Sequence, residues 1–328
     1  MGYFRFALCI AVAANHLWFI GAIGRYAVFS FYILSGFLMT TIITGKYGTS
    51  AKGIISYIAN RVLRIYPMYI AVFLLYVLLA LLWGNTPALD FNIPATLKGW
   101  VINASMIGMD FNYKDRLVSP AWSLYVELFY YCLIPFIIIM GRRAVLLWLV
   151  MSASYHAYSV YSLGMYSSWD VRYGTILAGS IGFSIGCALK LYNFKIIENK
   201  YIFKLSFVTL TLVYGLTAAS FLSKERLFSL DSMSTYFFYV NMLASAVVIK
   251  NIFNIKQNNT CLLLGDLSYP FYLTHTLSGV ILMRIGIIET RSIYLFVFGV
   301  LLTCGICMLL RRFEIAIDSI RDRVRSYA

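Results

Sequence analysis

Read for the order of apolar and polar positions, the chain breaks into ten apolar stretches of 17 to 22 residues, at 3–24, 26–44, 67–83, 121–140, 144–163, 173–189, 205–222, 233–249, 262–283 and 292–310. A helix needs about 20 mostly apolar residues to cross a bilayer. The pattern therefore predicts an all-α, polytopic integral membrane protein with about ten transmembrane helices. The longest connection on the side read below as outer, 84–120, carries Pro87, Pro94 and Pro120 around a semi-apolar middle at 95–109, which is expected to dip back towards the membrane. No internal repeat, linker or low-complexity stretch divides the sequence. The expectation is one transmembrane domain over 1–310 and a basic cytoplasmic tail over 311–328.

Composition narrows the class. The chain has 328 residues, 61% apolar and only 12% charged, against about 25% charged in soluble domains. One soluble core cannot bury that much apolar surface, and disorder needs low hydrophobicity. The net charge is +14, but the bases punctuate apolar runs instead of clustering as a nucleic-acid binder's would, so no nucleic-acid partner is expected. Their distribution sets the orientation. Alternate connections hold seventeen bases with four acids, the others nine with seven, an excess of +13 against +2. The first set is read as cytoplasmic, which leaves both termini inside. The six cysteines lie in or beside apolar stretches, and Cys304 and Cys307 lack further ligands at zinc spacing, so they read as packing residues and no metal is expected. Asn15, His16 and Trp18 interrupt the first apolar run and no small-residue cleavage site follows, so no cleavable signal peptide is expected.

Ionisable residues inside spanning helices are costly, so each is a functional candidate. They are Arg5, His16, Glu127, His156, Asp266 and His275. Arg5 and His16 are 11 residues apart, three helical turns plus 20°, which places both on one helix face about 16 Å apart along the axis. Each has a plain structural reading beside the functional one. Arg5 can snorkel to the headgroups, the histidines can be satisfied packing residues, and Glu127 can be a hydrogen-bond node beside Trp122, Ser123 and Tyr130. Asp266 can belong to a kink at Pro270. At the cytoplasmic end of the third stretch, Arg61 and Arg64 share a helix face beside Tyr66. They are either positive-inside flanks or a clamp whose guanidinium forks match phosphate. In the second stretch, Ser35-Gly36 is either a packing notch or a place where a flat ligand nears the backbone.

Taken together these marks resemble the membrane acyltransferase-3 family, which O-acylates bacterial polysaccharides and related molecules. The family's R-x10-H is similar to Arg5 and His16. Its F-F-x-x-S-G-F-L segment resembles Phe31-Tyr32-Ile33-Leu34-Ser35-Gly36-Phe37-Leu38, with Tyr32 in place of the second Phe. Its R-x-x-R-I-x-P-x-Y resembles Arg61, Arg64, Ile65, Pro67 and Tyr69, and its W-S-L-x-x-E segment resembles Trp122, Ser123, Leu124 and Glu127, followed by Tyr130 and Tyr131. A late S-Y-x-x-Y-L-x-H resembles Ser268, Tyr269, Tyr272, Leu273 and His275.

The resemblance implies an inner-membrane O-acetyltransferase, a transferase of acyl groups other than aminoacyl. Acetyl-CoA is its co-substrate, no cofactor is bound permanently, and the acceptor is a sugar or polysaccharide among membrane lipids. It implies catalytic roles for His16, Arg5 and Glu127. Donor binding falls to Arg61, Arg64, Ser35, Gly36 and Tyr66. Acceptor binding falls to Trp122, Ser123, Tyr269, Tyr272 and His275. Some relatives append an extracytoplasmic hydrolase-like domain; this sequence ends soon after its tenth stretch, so a two-step transfer would need a separate partner. Alternatives from the residues are a transporter or flippase of lipid-linked sugars, using the buried charges as a relay, and an acyltransferase acting on a lipid, an antibiotic or a peptidoglycan unit.

Overall fold

The computed structural model describes residues 1–165, 167–192, 194–222 and 230–326. Lys224 and Arg226, counted above among the outer bases, lie outside the described residues. The described chain is helical apart from its connections and one isolated bridge between Thr86 and Phe91. The helices are α1 (Gly2–Ala13), α2 (Ile23–Ile42), α3 (Ala51–Trp83), α4 (Leu97–Ser105), α5 (Ala121–Ile139) and α6 (Arg142–Leu163). They continue with α7 (Trp169–Tyr173), α8 (Ile176–Leu191), α9 (Lys200–Leu222), α10 (Leu230–Ile252), α11 (Asn259–Arg284) and α12 (Ile293–Ser326). Every predicted apolar stretch overlaps a helix. Among the described residues five spans are long and apolar enough to cross a membrane by length and composition: Ile23–Tyr47, Ala51–Trp83, Ala121–Ile139, Lys200–Leu222 and Ile293–Val324.

Three boundaries differ from the sequence reading. The first stretch ends early: α1 passes into a π turn, Ala14–Trp18, and Phe19 and Ala22 take φ of 63° and 65° before α2 begins. The third starts sixteen residues before Pro67, inside a 33-residue helix. Pro67 removes only the bond to the Leu63 carbonyl, and the buried Ile65, Met68 and Tyr69 carry the helix through it. The last stretch runs on to Ser326, so 311–326 is no separate tail but the end of a 34-residue helix, with Ala328 and Tyr327 outside the described residues. At 1.5 Å per residue, α3 and α12 are each about 50 Å long, roughly 20 Å more than the hydrocarbon core needs.

The chain forms two compact units: Met1, Ile20–Ser50 and Val126–Gln257 make the first; Gly2–Phe19, Ala51–Tyr125 and Asn258–Ala328 make the second. In the first unit α2 and α8 run parallel in close contact. A Cβ on Gly36 would strike the Phe183 backbone and one on Gly186 the Ile33 carbonyl; small residues at such contacts let two backbones approach. Helix α10 also runs parallel to α2, with Asn241 bonded to the Tyr26 carbonyl and Ser245 to Ser30. Helix α6 is antiparallel to α8, pairing Ser152 with Ser180 and His156 with Ala178.

In the second unit α1, α3 and α11 are parallel. Gly2 meets Cys261, Cys9 bonds the Ser268 carbonyl, and His16 lies beside His275. Tyr269 bonds the Ile65 carbonyl and Tyr76 pairs with Thr276. Helix α12 runs antiparallel to both α11, through Thr303 and Ser278, and α3, through Glu314 and Arg64.

The 84–120 connection does turn back. Trp100 of α4 sits against Phe73, Asn103 offers its carbonyl to Tyr69 and Ser105 offers its own to Tyr66. Descending α4 therefore means descending α3. Tyr66 lies 17 residues before Trp83, about 25 Å along the helix. Met106 (φ 61°) and Gly108 (φ 83°) reverse the chain, and it returns until the Arg116 carbonyl accepts from Asn92 N–H. A helix end buried at that depth needs partners for its last carbonyls; the two tyrosine hydroxyls supply them. Asn103 ties the returning limb by bonding Asp115 O and Leu117 N–H.

Candidate active site

The second unit gathers most of the predicted residues. His16 occupies the π turn, where Phe19 N–H reaches back five residues to the Ala14 carbonyl. The turn is held by Leu17, whose side chain is wedged against Gly279 of α11 and Gly299 of α12 and whose carbonyl accepts from Ser292 N–H. Turns of this kind recur at functional positions. The π turn also breaks the α-helical phase, so Arg5 and His16 do not keep the common face computed for an unbroken helix. Arg5 is half-buried one side of Cys9, on which its charge acts.

His275 is wholly buried, its ring centroid 5.2 Å from that of His16. Its Nδ1 lies 2.8 Å from the Tyr272 carbonyl. A carbonyl only accepts, so Nδ1 carries the proton and Nε2 presents its lone pair. Among the described residues that buried Nε2 has no partner, while His16 keeps part of its surface open. Two cations, Arg291 and Arg116, bear electrostatically on His16; Arg116 is anchored on the returning limb by the Phe111 carbonyl at 2.6 Å. The polar wall continues through Tyr272, whose hydroxyl lies 2.6 Å from Ser123 Oγ. Ser123 donates to the Pro120 carbonyl at 2.9 Å, so Tyr272 is the donor to Ser123. Trp122 is buried edge-on against Phe111 at 5.0 Å.

A second cluster lies further back along α11. Arg64 Nη1 is 3.0 Å from Glu314 Oε1, and its guanidinium lies 5.8 Å from the Tyr269 ring centroid. Arg61 bonds the neighbouring Asn60 side chain and stacks on Tyr57, and Asn60 in turn donates to the Arg321 carbonyl. Tyr269 and His275 are six residues apart on one helix, about 9 Å, so α11 links the arginine cluster to the imidazole pair.

Three assignments change. Tyr269 belongs with Arg64 and Ile65, not with the acceptor group of Trp122, Ser123 and Tyr272, because its position one turn nearer the start of α11 takes it to the arginines. Tyr66 spends its hydroxyl on the Ser105 carbonyl at the end of α4, a structural tie the sequence reading did not give it. Gly36, in the first unit, is closed against Phe183 of α8, which leaves no space for a ligand chain. Also in the first unit, Glu127 Oε1 accepts from Ser35 at 2.5 Å and from Tyr131 at 2.6 Å, the hydrogen-bond node. Asp266 is exposed and α11 passes through Pro270 unbroken. Among the described residues no group of three or more His, Cys, Asp or Glu is placed to hold a metal.

Sequence reasoning passed over Glu314 and Arg116. An acid within a basic run was the available signal for the first. The second sits on the limb of a connection already expected to re-enter the membrane.

Long apolar helices holding a buried imidazole beside a half-buried one, with cations towards either end of the helix that carries His275, make a multi-pass membrane protein with a polar centre. The chain belongs to the acyltransferase-3 family, whose acyltransferase domain matches residues 1–312. No curated protein and no solved structure matches it.

Proposed function

We propose that this membrane acyltransferase is an O-acetyltransferase. It moves acetyl from acetyl-CoA to a hydroxyl of a cell-surface polysaccharide (O-antigen, capsule or exopolysaccharide) or its lipid-linked precursor. The observation that carries this reading is the His16–His275 pair at the π turn. An alcohol attacking a thioester needs a base for its proton and positive potential at the developing oxyanion. His16, open on one side, takes the hydroxyl proton as the oxygen bonds to the thioester carbonyl carbon. Collapse of the oxyanion breaks the C–S bond, and the departing CoA thiolate recovers the proton from His16. His275, its Nε2 without a partner among the described residues and its ring beside that of His16, is a second acceptor, and Arg116 and Arg291 favour the negative oxygen. Arg61 and Arg64 hold the CoA phosphates, Arg5 orients the path between the clusters, and Trp122, Ser123 and Tyr272 line the acceptor side.

The topology goes with this reading: ten crossings in the inner membrane, both termini cytoplasmic. Directions support it, since in each unit the helices that are parallel differ by an even number of crossings and the antiparallel ones by an odd number.

Purified protein given acetyl-CoA and a hydroxyl acceptor should release free thiol. His16→Ala, at equal protein level, should lose roughly 10²–10⁴-fold of that rate. Undiminished transfer in that variant removes His16 from the mechanism. The acceptor is read from the mass of the surface polysaccharide with and without the gene, a difference of one acetyl group.

A further inference from the structure

A different set of cations lies in the first unit, at the end where α2 and α8 begin. Arg172 is wholly buried. Its Nε donates to Ser168 Oγ at 2.7 Å, Nη1 to the Tyr239 hydroxyl at 2.9 Å and Nη2 to the Met165 carbonyl. His156 Nε2 lies 3.0 Å from the Ala178 carbonyl and so carries its proton, which leaves Nδ1 to accept from Tyr239 at 3.1 Å. Among the described residues, then, every hydrogen-bond partner of Arg172 is a neutral dipole. A second guanidinium, that of half-buried Arg25, lies 5.0 Å from the Trp169 ring centroid and 5.6 Å from that of Tyr173. Arg172 lies 5.5 Å from the same Trp169 ring, so two cations share one indole. The α2 N-terminus adds to the positive potential: Ala22 gives it no side-chain cap, and Arg25 sits in its first turn, where a cation opposes the helix dipole.

Among the described residues no carboxylate pairs with Arg25 or Arg172. Two like charges beside a helix N-terminus, one of them out of water, repel and call for a counter-charge. Arg25 marks the open side from which it would enter. Arg25 stands in the first turn of α2, at the start of a span long and apolar enough to cross a membrane, and Arg172 lies in α7 just before α8; a guanidinium fork matches phosphate oxygens.

We propose that Arg25, framed by Trp169 and Tyr173 and backed by the buried charge of Arg172, forms a binding site for a phosphate group at the membrane interface. Two molecules carry that chemistry there: a phospholipid headgroup and the diphosphate of a lipid-linked acceptor. The second rests on the proposed function, and the first does not.

The test is binding by the purified full-length protein in non-ionic detergent, followed by thermal shift. The probes are pyrophosphate, farnesyl diphosphate, phosphatidylglycerol and, as a neutral control, phosphatidylcholine. Arg25→Gln, at the rim of the cluster, should weaken the bound phosphate about tenfold or more, with partial recovery in Arg25→Lys. Arg143→Gln, which removes an exposed charge elsewhere, should leave it intact. Binding of phosphatidylglycerol alone assigns the site to a lipid headgroup; binding of both diphosphates without phosphatidylglycerol assigns it to the acceptor. No binding of any phosphate probe, or equal loss in Arg143→Gln, overturns the site. Thiol release is a separate readout, so loss of either reading leaves the other standing.

Discussion

Arg64 is gripped from two directions, by the Glu314 carboxylate and by the face of Tyr269, and that arrangement separates its two readings experimentally. If Arg61 and Arg64 fork onto CoA phosphates, replacing both by Lys keeps the charge and loses the planar geometry. Charge-assisted bonds contribute about 1.5–3 kcal/mol each, so KM for acetyl-CoA should rise about tenfold or more with little change in acceptor dependence. Glu314→Gln leaves the guanidinium in place and removes its counter-charge, so it should lower the unfolding temperature without raising that KM. A matching KM rise in Glu314→Gln would mean Arg64 acts through the ion pair and not on the donor. The arginines, His16, His275, Ser123 and Tyr272 were legible in the sequence because each belongs to a short motif of its own; the contact between Ser123 and Tyr272, 149 residues apart on two helices, was not. Glu314 was not, because its helix was read as ending at 310. Nor was Arg172, counted as a loop base, since nothing in its neighbours signals that α7 folds it inside.

Among elements, α4 is the one the sequence described best without locating it. A semi-apolar stretch between prolines says that the chain dips; it does not say how far, because depth is set by which α3 side chains meet its end. Those are Tyr66 and Tyr69, whose hydroxyls take the Ser105 and Asn103 carbonyls. Tyr66→Phe should therefore cost about 1 kcal/mol of stability, read by thermal unfolding in detergent, with KM for acetyl-CoA unchanged. The reverse result, a raised KM at normal stability, returns Tyr66 to the donor site. The π turn at His16 was equally hidden. It is imposed from outside α1 by two glycines more than 250 residues away that close on Leu17, and apolar patterning carries no trace of such a constraint.

For the whole molecule, the ten stretches and the uneven spread of bases were visible from the start, whereas the division into two units was not, since no linker marks it. The orientation is open to a direct measurement. On a background with the six native cysteines replaced, Lys52→Cys and Lys195→Cys should react with an impermeant thiol reagent only from the cytoplasm, and Asp90→Cys only from outside. Opposite labelling would invert the protein and move the donor mouth to the other surface. The re-entrant helix bears on how such a chain is built. Nine residues cannot be laid into a bilayer as a crossing of their own, so α4 has to settle after its neighbours are inserted, delivering its carbonyls to tyrosines already waiting in α3. The limb that follows it brings the Arg116 charge to bear on His16 and sets Phe111 against Trp122. On the proposed mechanism assembly and activation are linked: a chain whose α4 has not settled has its histidines but not the Arg116 charge that bears on His16.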